Sequence, residues 1–86
     1  MQATITRNFR DVNTLSPKVL LTNVVFDNGE TFRDHCWVPM TDKIKQFIPR
    51  TNKQKNTLQF KAKIKDYQTI GPAKQTLSKI REIVIL

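Results

Sequence analysis

The chain has 86 residues, and its 15 lysines and arginines against 7 acidic residues give a net charge of +8, a basic excess typical of proteins with a polyanionic partner. This length predicts one domain over residues 1–86 with a small core, and the hydrophobic content of 38% excludes a disordered chain. A single cysteine, Cys36, excludes an internal disulfide framework, and since no apolar run is long enough to cross a membrane, we expect a reduced, cytoplasmic protein.

Three β-strands are predicted in the first half of the chain. Residues 4–9 can form the first, and residues 18–26, the most apolar segment, are rich in the β-branched and aromatic residues that favour strands. The Asn28-Gly29 dipeptide that follows is typical of a tight hairpin turn, because both residues tolerate a positive φ. Residues 31–38 are then expected to return as the antiparallel partner of the second strand.

A short helix is predicted over residues 41–48, between two prolines. Thr41 or Asp42 can cap its first turn, and Pro49 ends it because proline cannot continue a helix. Three apolar residues share one face at helical spacing. They are Ile44, Phe47 and Ile48. Residues 50–56 contain no apolar residue and are expected to form an exposed loop.

A strand with one basic face is predicted over residues 57–67. Successive side chains of a strand point to opposite faces, so the apolar residues fall on one side and the lysines on the other. The apolar residues are Leu58, Phe60, Ala62 and Ile64. The lysines are Lys61, Lys63 and Lys65, here named the lysine row. These lysines either contact a polyanion or keep the sheet soluble and its edge unpaired.

The last strand is predicted over residues 77–86, after a Gly-Pro-containing loop at residues 69–74. A helix is the alternative, because Leu77, Ile80 and Val84 also fit helical spacing. The β-branched residues near the end of the chain have poor helix propensity and favour the strand. The final apolar run is expected to be buried.

The register of the first hairpin determines which side chains share a face. With the turn at Asn-Gly, the numbers of paired residues add up to 57, so Val25 faces Phe32 on the core side. Asn23 and Asp34 also pair on that side, a conflict that a β-bulge or the end of a barrel would relieve. The residues expected in the core are Leu21, Val25, Phe32, Phe60, Ile64 and Leu77.

The opposite face of this hairpin mixes aromatic and basic groups. Arg33, His35 and Trp37 lie on it, and Phe26 follows at its end. Bases stack on Trp or His rings, and arginine adds charge and a flat guanidinium, so this face suits single-stranded nucleic acid. The alternative is that Trp37 belongs to the core, since tryptophan is usually well buried.

The order of the predicted elements is strand, strand, strand, helix, strand, strand. This order resembles the OB-fold, a five-stranded Greek-key barrel that often binds oligonucleotides through strands 2 and 3 and two loops. Residues 19–38, with Asp34-His35-Cys36-Trp37 among them, also resemble small OB-like nucleic-acid-binding proteins of phages and mobile elements. The resemblance implies an all-β, five-stranded OB-like barrel with one short helix between strands 3 and 4. An SH3-like barrel is the alternative.

Catalysis and metal binding are not predicted. His35 and Cys36 are adjacent, so they point to opposite faces of a strand, and the chain has no other histidine or cysteine. A zinc site or a Cys-His nucleophile is therefore not expected. The acids are scattered, and two glycines provide no glycine-rich phosphate loop. We expect no enzyme activity, no metal and no cofactor.

Two functions fit this pattern. The first is binding of single-stranded DNA or RNA with little sequence preference. The predicted contact residues are Arg7, Arg10, Lys18, Phe26, Arg33, His35, Trp37, Arg50, Lys53, Lys55, Lys61, Lys63 and Lys65. The alternative is a phage- or mobile-element-encoded inhibitor that docks on the acidic surface of a host protein. A flat apolar patch around Trp37 and Phe26 would favour this alternative.

Overall fold

The computed structural model describes residues 1–67 and 74–86 and shows an all-β chain with one short helix. Its elements are β1 (Gln2–Arg10), β2 (Lys18–Val25), β3 (Thr31–Pro39), α1 (Asp42–Lys45), β4 (Asn56–Tyr67) and β5 (Lys74–Ile85). The five strands form one antiparallel sheet in the order β3-β2-β1-β4-β5. The predicted fold class, the number of strands and the position of the helix are confirmed. The loop predicted over residues 69–74 falls outside the described residues, except for Lys74.

The two edge strands of the sheet approach each other without a backbone ladder in the described part of the chain. Side chains bridge the gap instead. The Arg33 guanidinium donates to the carbonyl of Gln75 at 2.7 Å, and the Thr76 hydroxyl donates to the carbonyl of Trp37 at 3.3 Å. Thr76 Oγ1 also lies 3.3 Å from Cys36 Sγ. The sheet is therefore open between β3 and β5, and the predicted closed barrel is not confirmed.

The core lies on the inner side of this sheet and is capped by α1. Ile44 of the helix is buried, and Thr41 holds the first turn because its Oγ1 accepts a hydrogen bond from the Ile44 N–H at 3.4 Å. The helix is shorter than predicted, and turns follow it, with the Phe47 N–H donating to the Ile44 carbonyl at 2.9 Å. The buried residues that form the core are Ala3, Ile5, Val19, Leu21, Val24, Cys36, Val38, Ile44, Leu58, Phe60 and Leu77.

The predicted register of the β2–β3 hairpin is confirmed from Val19↔Val38 to Val24↔Arg33. Asn23 has a φ of 51°. At this level β2 contains one residue more than the segment of β1 that it pairs with. Asn23 is thus a bulge with its side chain exposed, which relieves the conflict expected there.

This bulge makes the core prediction for Val25 wrong. The extra residue shifts the alternation of β2 by one position, so Val24 is 0% exposed and Val25 is only half-buried. Val25 pairs with Thr31 instead of Phe32. Phe32 is half-buried and packs against the edge of the core.

The predicted alternation of β4 holds only in its first half. Leu58 and Phe60 are buried, as expected, but Ile64 is 45% exposed, so its assignment to the core is wrong. The physical reason is the length of the strand: β1 pairs with β4 only at residues 56–59, whereas β5 pairs with it as far as Tyr67. Beyond residue 60, β4 and β5 form a two-stranded extension with less core beneath it.

Two bulges explain the ambiguous pattern of β5. Lys79 and Glu82 have φ values of 52° and 53°, and the β4–β5 register shifts by one residue near each of them. Each bulge adds one residue between inward positions, so Leu77, Ile80 and Ile83 face the core at intervals of three. The predicted strand and the burial of Leu77 are confirmed. The expected burial of the final run is wrong, since three of its residues are exposed: Val84, Ile85 and Leu86.

Candidate nucleic-acid interface

Trp37 forms the centre of the candidate interface. It is half-buried on the outer side of β3, opposite Leu20 of β2. The guanidinium of Arg10 covers it, with the carbon Cζ 4.7 Å from the centroid of the indole ring. Asp11 contacts the same arginine, its carboxylate lying 3.6 Å from Arg10 Nε. A tryptophan and an arginine therefore present a stacked pair of flat groups at the surface.

Arg33 and His35 continue from Trp37 along β3. The three residues alternate along the strand and so share its outer face; we name them the outer row. His35 is exposed and pairs with Thr22, whereas Arg33 is half-buried and anchored to the Gln75 carbonyl. This anchor uses one of the five N–H donors of the guanidinium. The outer row combines two rings with two cations, counting Arg10.

Phe26 lies beyond the Arg33 end of this row. It packs edge-on against Phe32, with ring centroids 5.6 Å apart and an interplanar angle of 79°. It is six residues along the chain from Leu20, the partner of Trp37, which is roughly 20 Å in an extended strand. It is only two residues from Val24, the partner of Arg33. The structure therefore places Phe26 at the hairpin turn, near Arg33 and far from Trp37.

The lysine row is exposed, as its alternation predicted. Lys61 is the least free of the three, because its Nζ lies 3.2 Å from the carboxylate of Glu82. Lys65 pairs with Thr76, which in turn donates to the Trp37 carbonyl. Lys65 is therefore linked to Trp37 through one residue of β5. The end of the lysine row lies beside the seam that the outer row borders.

Two predicted arginines lie in a separate place. Arg7 and Arg50 line a cleft of about 460 Å³ between β1 and the segment around α1. We name it the cationic cleft. Its lining residues are Arg7, Phe9, Val12, Met40, Lys45, Ile48 and Arg50. Phe9 and Lys45 were not among the predicted contact residues. Phe9 belongs to a strand with few apolar residues, and Lys45 lies between the apolar residues of the predicted helix.

The remaining predicted cations are scattered. Lys18 is half-buried and pairs with both Arg10 and Pro39, so it borders the outer row. Lys53 and Lys55 are exposed in the segment between α1 and β4. Arg81, absent from the sequence-based set, pairs with Lys61 and donates to the Lys79 carbonyl at 3.2 Å. Its position depends on the two bulges of β5.

The described residues contain no group of three or more histidine, cysteine or acidic side chains placed to hold a metal ion. Within residues 1–67 and 74–86, no helix is long and apolar enough to cross a membrane. No family model, curated protein or solved structure matches this chain.

Proposed function

We propose that this chain is a small, non-enzymatic module that binds single-stranded DNA or RNA with little sequence preference. The observation that carries the proposal is the stacked Arg10–Trp37 pair beside His35 and Arg33 on the outer row. Flat aromatic and guanidinium groups stack on any base, because every base has a π-face. Such a surface favours unpaired bases, since the bases of a duplex are already stacked on one another.

The distribution of charge supports the same proposal. The chain carries a net charge of +8, and the exposed lysine row ends next to the outer row. A strand whose bases stack near Trp37 would have its phosphates within reach of Lys63 and Lys65. Neutralising these phosphates releases counterions, which makes affinity fall with salt.

The topology is compatible with an OB-like interpretation. An OB-fold is a partly open Greek-key barrel, and here the edge strands β3 and β5 meet through side chains across an open seam. In that interpretation the ligand lies over strands 2 and 3, which is where the outer row lies. We infer that the chain is OB-like on this basis.

Titration of the protein's single tryptophan tests the proposal. We expect quenching of Trp37 fluorescence by single-stranded oligonucleotides of about 12 residues, a length within the site sizes of OB-folds. Poly-dT and poly-rU should bind tighter than a duplex of equal length, and affinity should fall between about 50 and 200 mM salt. Absence of binding at the lowest salt, or equal affinity for duplex, would contradict the proposal.

A second candidate function is docking on an acidic protein. The apolar patch that would mark it around Trp37 and Phe26 is absent from the described residues, since Arg10 covers the indole and Phe32 covers Phe26. One observation elsewhere favours docking on a protein through an apolar contact: Val84, Ile85 and Leu86 are exposed at the end of β5. Changing Val84 and Leu86 to Ser should abolish such docking without altering oligonucleotide affinity.

A further inference from the structure

We propose that the cationic cleft binds one nucleotide unit of the strand, with the base against Met40 and Ile48 and the phosphate among Arg7, Lys45 and Arg50. This inference rests on the proposed function and deepens it. The cleft is a second contact point on the protein, separate from the outer row. Its volume of about 460 Å³ lies within the range of small-ligand pockets.

Arg7 is preorganised for a phosphate. Its Nη1 donates to the Pro49 carbonyl at 3.3 Å, and its Cζ lies 5.2 Å from the centroid of the Phe9 ring. These two contacts fix the direction of the guanidinium and leave other N–H donors unused. A fixed, planar fork of donors matches the oxygens of a phosphate.

The charge of the cleft is of one sign. Arg7, Lys45 and Arg50 come from β1, α1 and the segment after it, and among residues 1–67 and 74–86 no acidic side chain lines the cleft. All three cations are exposed, so water screens the repulsion between them in the free protein. An anion bound between them would reduce this repulsion further. The site is therefore complementary to a negatively charged group.

The rest of the lining is apolar. Phe9 and Ile48 are half-buried and pack against the core, Met40 joins them, and Val12 is exposed at the rim. An inorganic anion makes no favourable contact with apolar side chains, whereas a nucleotide joins a phosphate to a flat, largely apolar base. The combination of an apolar wall and a cationic rim favours a nucleotide.

The cleft and the outer row lie on opposite faces of β1. Arg7 is three residues from Arg10, roughly 10 Å of extended chain, and successive side chains of a strand alternate between its faces; Arg7 lies over Phe9, whereas Arg10 covers Trp37. Because β1 pairs with β4 only at residues 2–5, a strand of a few nucleotides that contacts both sites passes around the later part of β1. The two contact points would add to the length of the binding site and to its salt dependence.

A pair of charge-matched double variants tests the inference. Lys45→Glu with Arg50→Glu changes the cleft, and Lys43→Glu with Lys79→Glu makes the same change in net charge at exposed positions outside it. We expect the cleft variant to bind single-stranded poly-dT at least about tenfold more weakly than the control variant, because it loses direct phosphate contacts as well as overall charge. Equal affinities would overturn the inference and leave the proposed function standing.

A mononucleotide separates the two claims. Adenosine 5′-monophosphate should shift the methyl NMR signals of Met40 and Ile48 in the wild type, and the shift should be lost in the cleft variant and kept in the control. If the nucleotide shifts these signals but no oligonucleotide binds, the proposed function is refuted and nucleotide binding in the cleft is not. No shift at millimolar nucleotide, together with oligonucleotide binding that the cleft variant retains, would refute the cleft alone. Absence of both responses would refute both.

Discussion

Trp37 occupies an intermediate position between a core residue and a free surface ring. It is half-buried on the outer side of β3, and Arg10 covers its exposed face at 4.7 Å. A ring in this position contributes to stability through its buried part. A base can also stack there, either on the guanidinium of Arg10 or directly on the indole ring once Arg10 has moved aside.

Trp37→Ala should therefore affect binding more than folding. We expect a loss of about 1–3 kcal/mol in oligonucleotide affinity and less than the roughly 3–5 kcal/mol in stability that a fully buried tryptophan would cost. Fluorescence anisotropy of a labelled oligonucleotide and thermal unfolding measure the two effects. Arg10→Ala separates the two members of the pair, since it removes the guanidinium and its charge but leaves the ring. A large loss of stability with normal affinity would place Trp37 in the core and remove it from the interface.

Asn23 is a second residue whose backbone determines its surroundings. Its φ of 51° lies in the left-handed region, which asparagine tolerates better than most residues and β-branched residues avoid. The bulge that it forms turns Val24 into the core.

Asn23→Val should lower the free energy of unfolding by about 1–2 kcal/mol, because valine is disfavoured at positive φ. Asn23→Gly removes the side chain but keeps the conformation available, so it should leave stability nearly unchanged. Urea denaturation of both variants provides the comparison. Equal destabilisation by valine and glycine would show that the side chain of Asn23, and not its φ, supports the bulge.

The element that the sequence predicted best is the first half of β4, and its limits are instructive. Alternation located the buried Leu58 and Phe60 and the exposed lysine row. It could not predict the exposure of Ile64, because alternation assigns a side to a residue but does not say where the core beneath that side ends. The end of the core depends on how far β1 accompanies β4, which is a long-range property of the fold.

The bulges of β5 limited the prediction in another way. Lys79 and Glu82 interrupt the strand, so its inward residues repeat every three positions and imitate a helix. Nothing in the two side chains distinguishes them from ordinary exposed residues. The same bulges serve the protein, since twisted, charged edge strands resist pairing with other chains. The cationic cleft was missed for a similar reason: its cations come from three elements that only the fold brings together.

A pair of substitutions in β4 measures where the core ends. Phe60→Ala should cost about 3–5 kcal/mol of stability because its side chain is only 2% exposed, whereas Ile64→Ala should cost less than about 1 kcal/mol. Both values follow from chemical denaturation of the single variants. Similar losses at the two positions would mean that the β4–β5 extension is packed as tightly as the core.

The lysine row should contribute unevenly to binding. Lys61 already contacts Glu82 at 3.2 Å, while Lys65 lies near the outer row through Thr76. Lys65→Glu should therefore weaken oligonucleotide binding more than Lys61→Glu, and neither should unfold the protein, since both side chains are exposed. Circular dichroism checks the fold and anisotropy gives the affinities. Unchanged affinity in both variants would leave the lysine row as a device for solubility alone.

At the scale of the whole molecule, charge and stacking can be separated by salt. The logarithm of the binding constant of a single strand falls with the logarithm of salt by about 0.7 for each phosphate neutralised. A base stacked on a ring adds affinity that hardly depends on salt. The chain has a net charge of +8 and a single tryptophan, so the two contributions can be removed independently.

Replacing Lys61, Lys63 and Lys65 together by glutamate should make the salt slope shallower by about 1.5–2, because up to three phosphate contacts are lost and Lys61 contributes the least. Trp37→Ala should leave the slope unchanged and lower the affinity by a similar factor at every salt concentration, since it removes a stacked base and no charge. Anisotropy titrations of poly-dT over the same salt series measure both quantities. If the tryptophan variant altered the slope as much as the lysine variant did, the ring would be acting by holding Arg10 in place, and the stacking surface would have to be sought elsewhere on the protein.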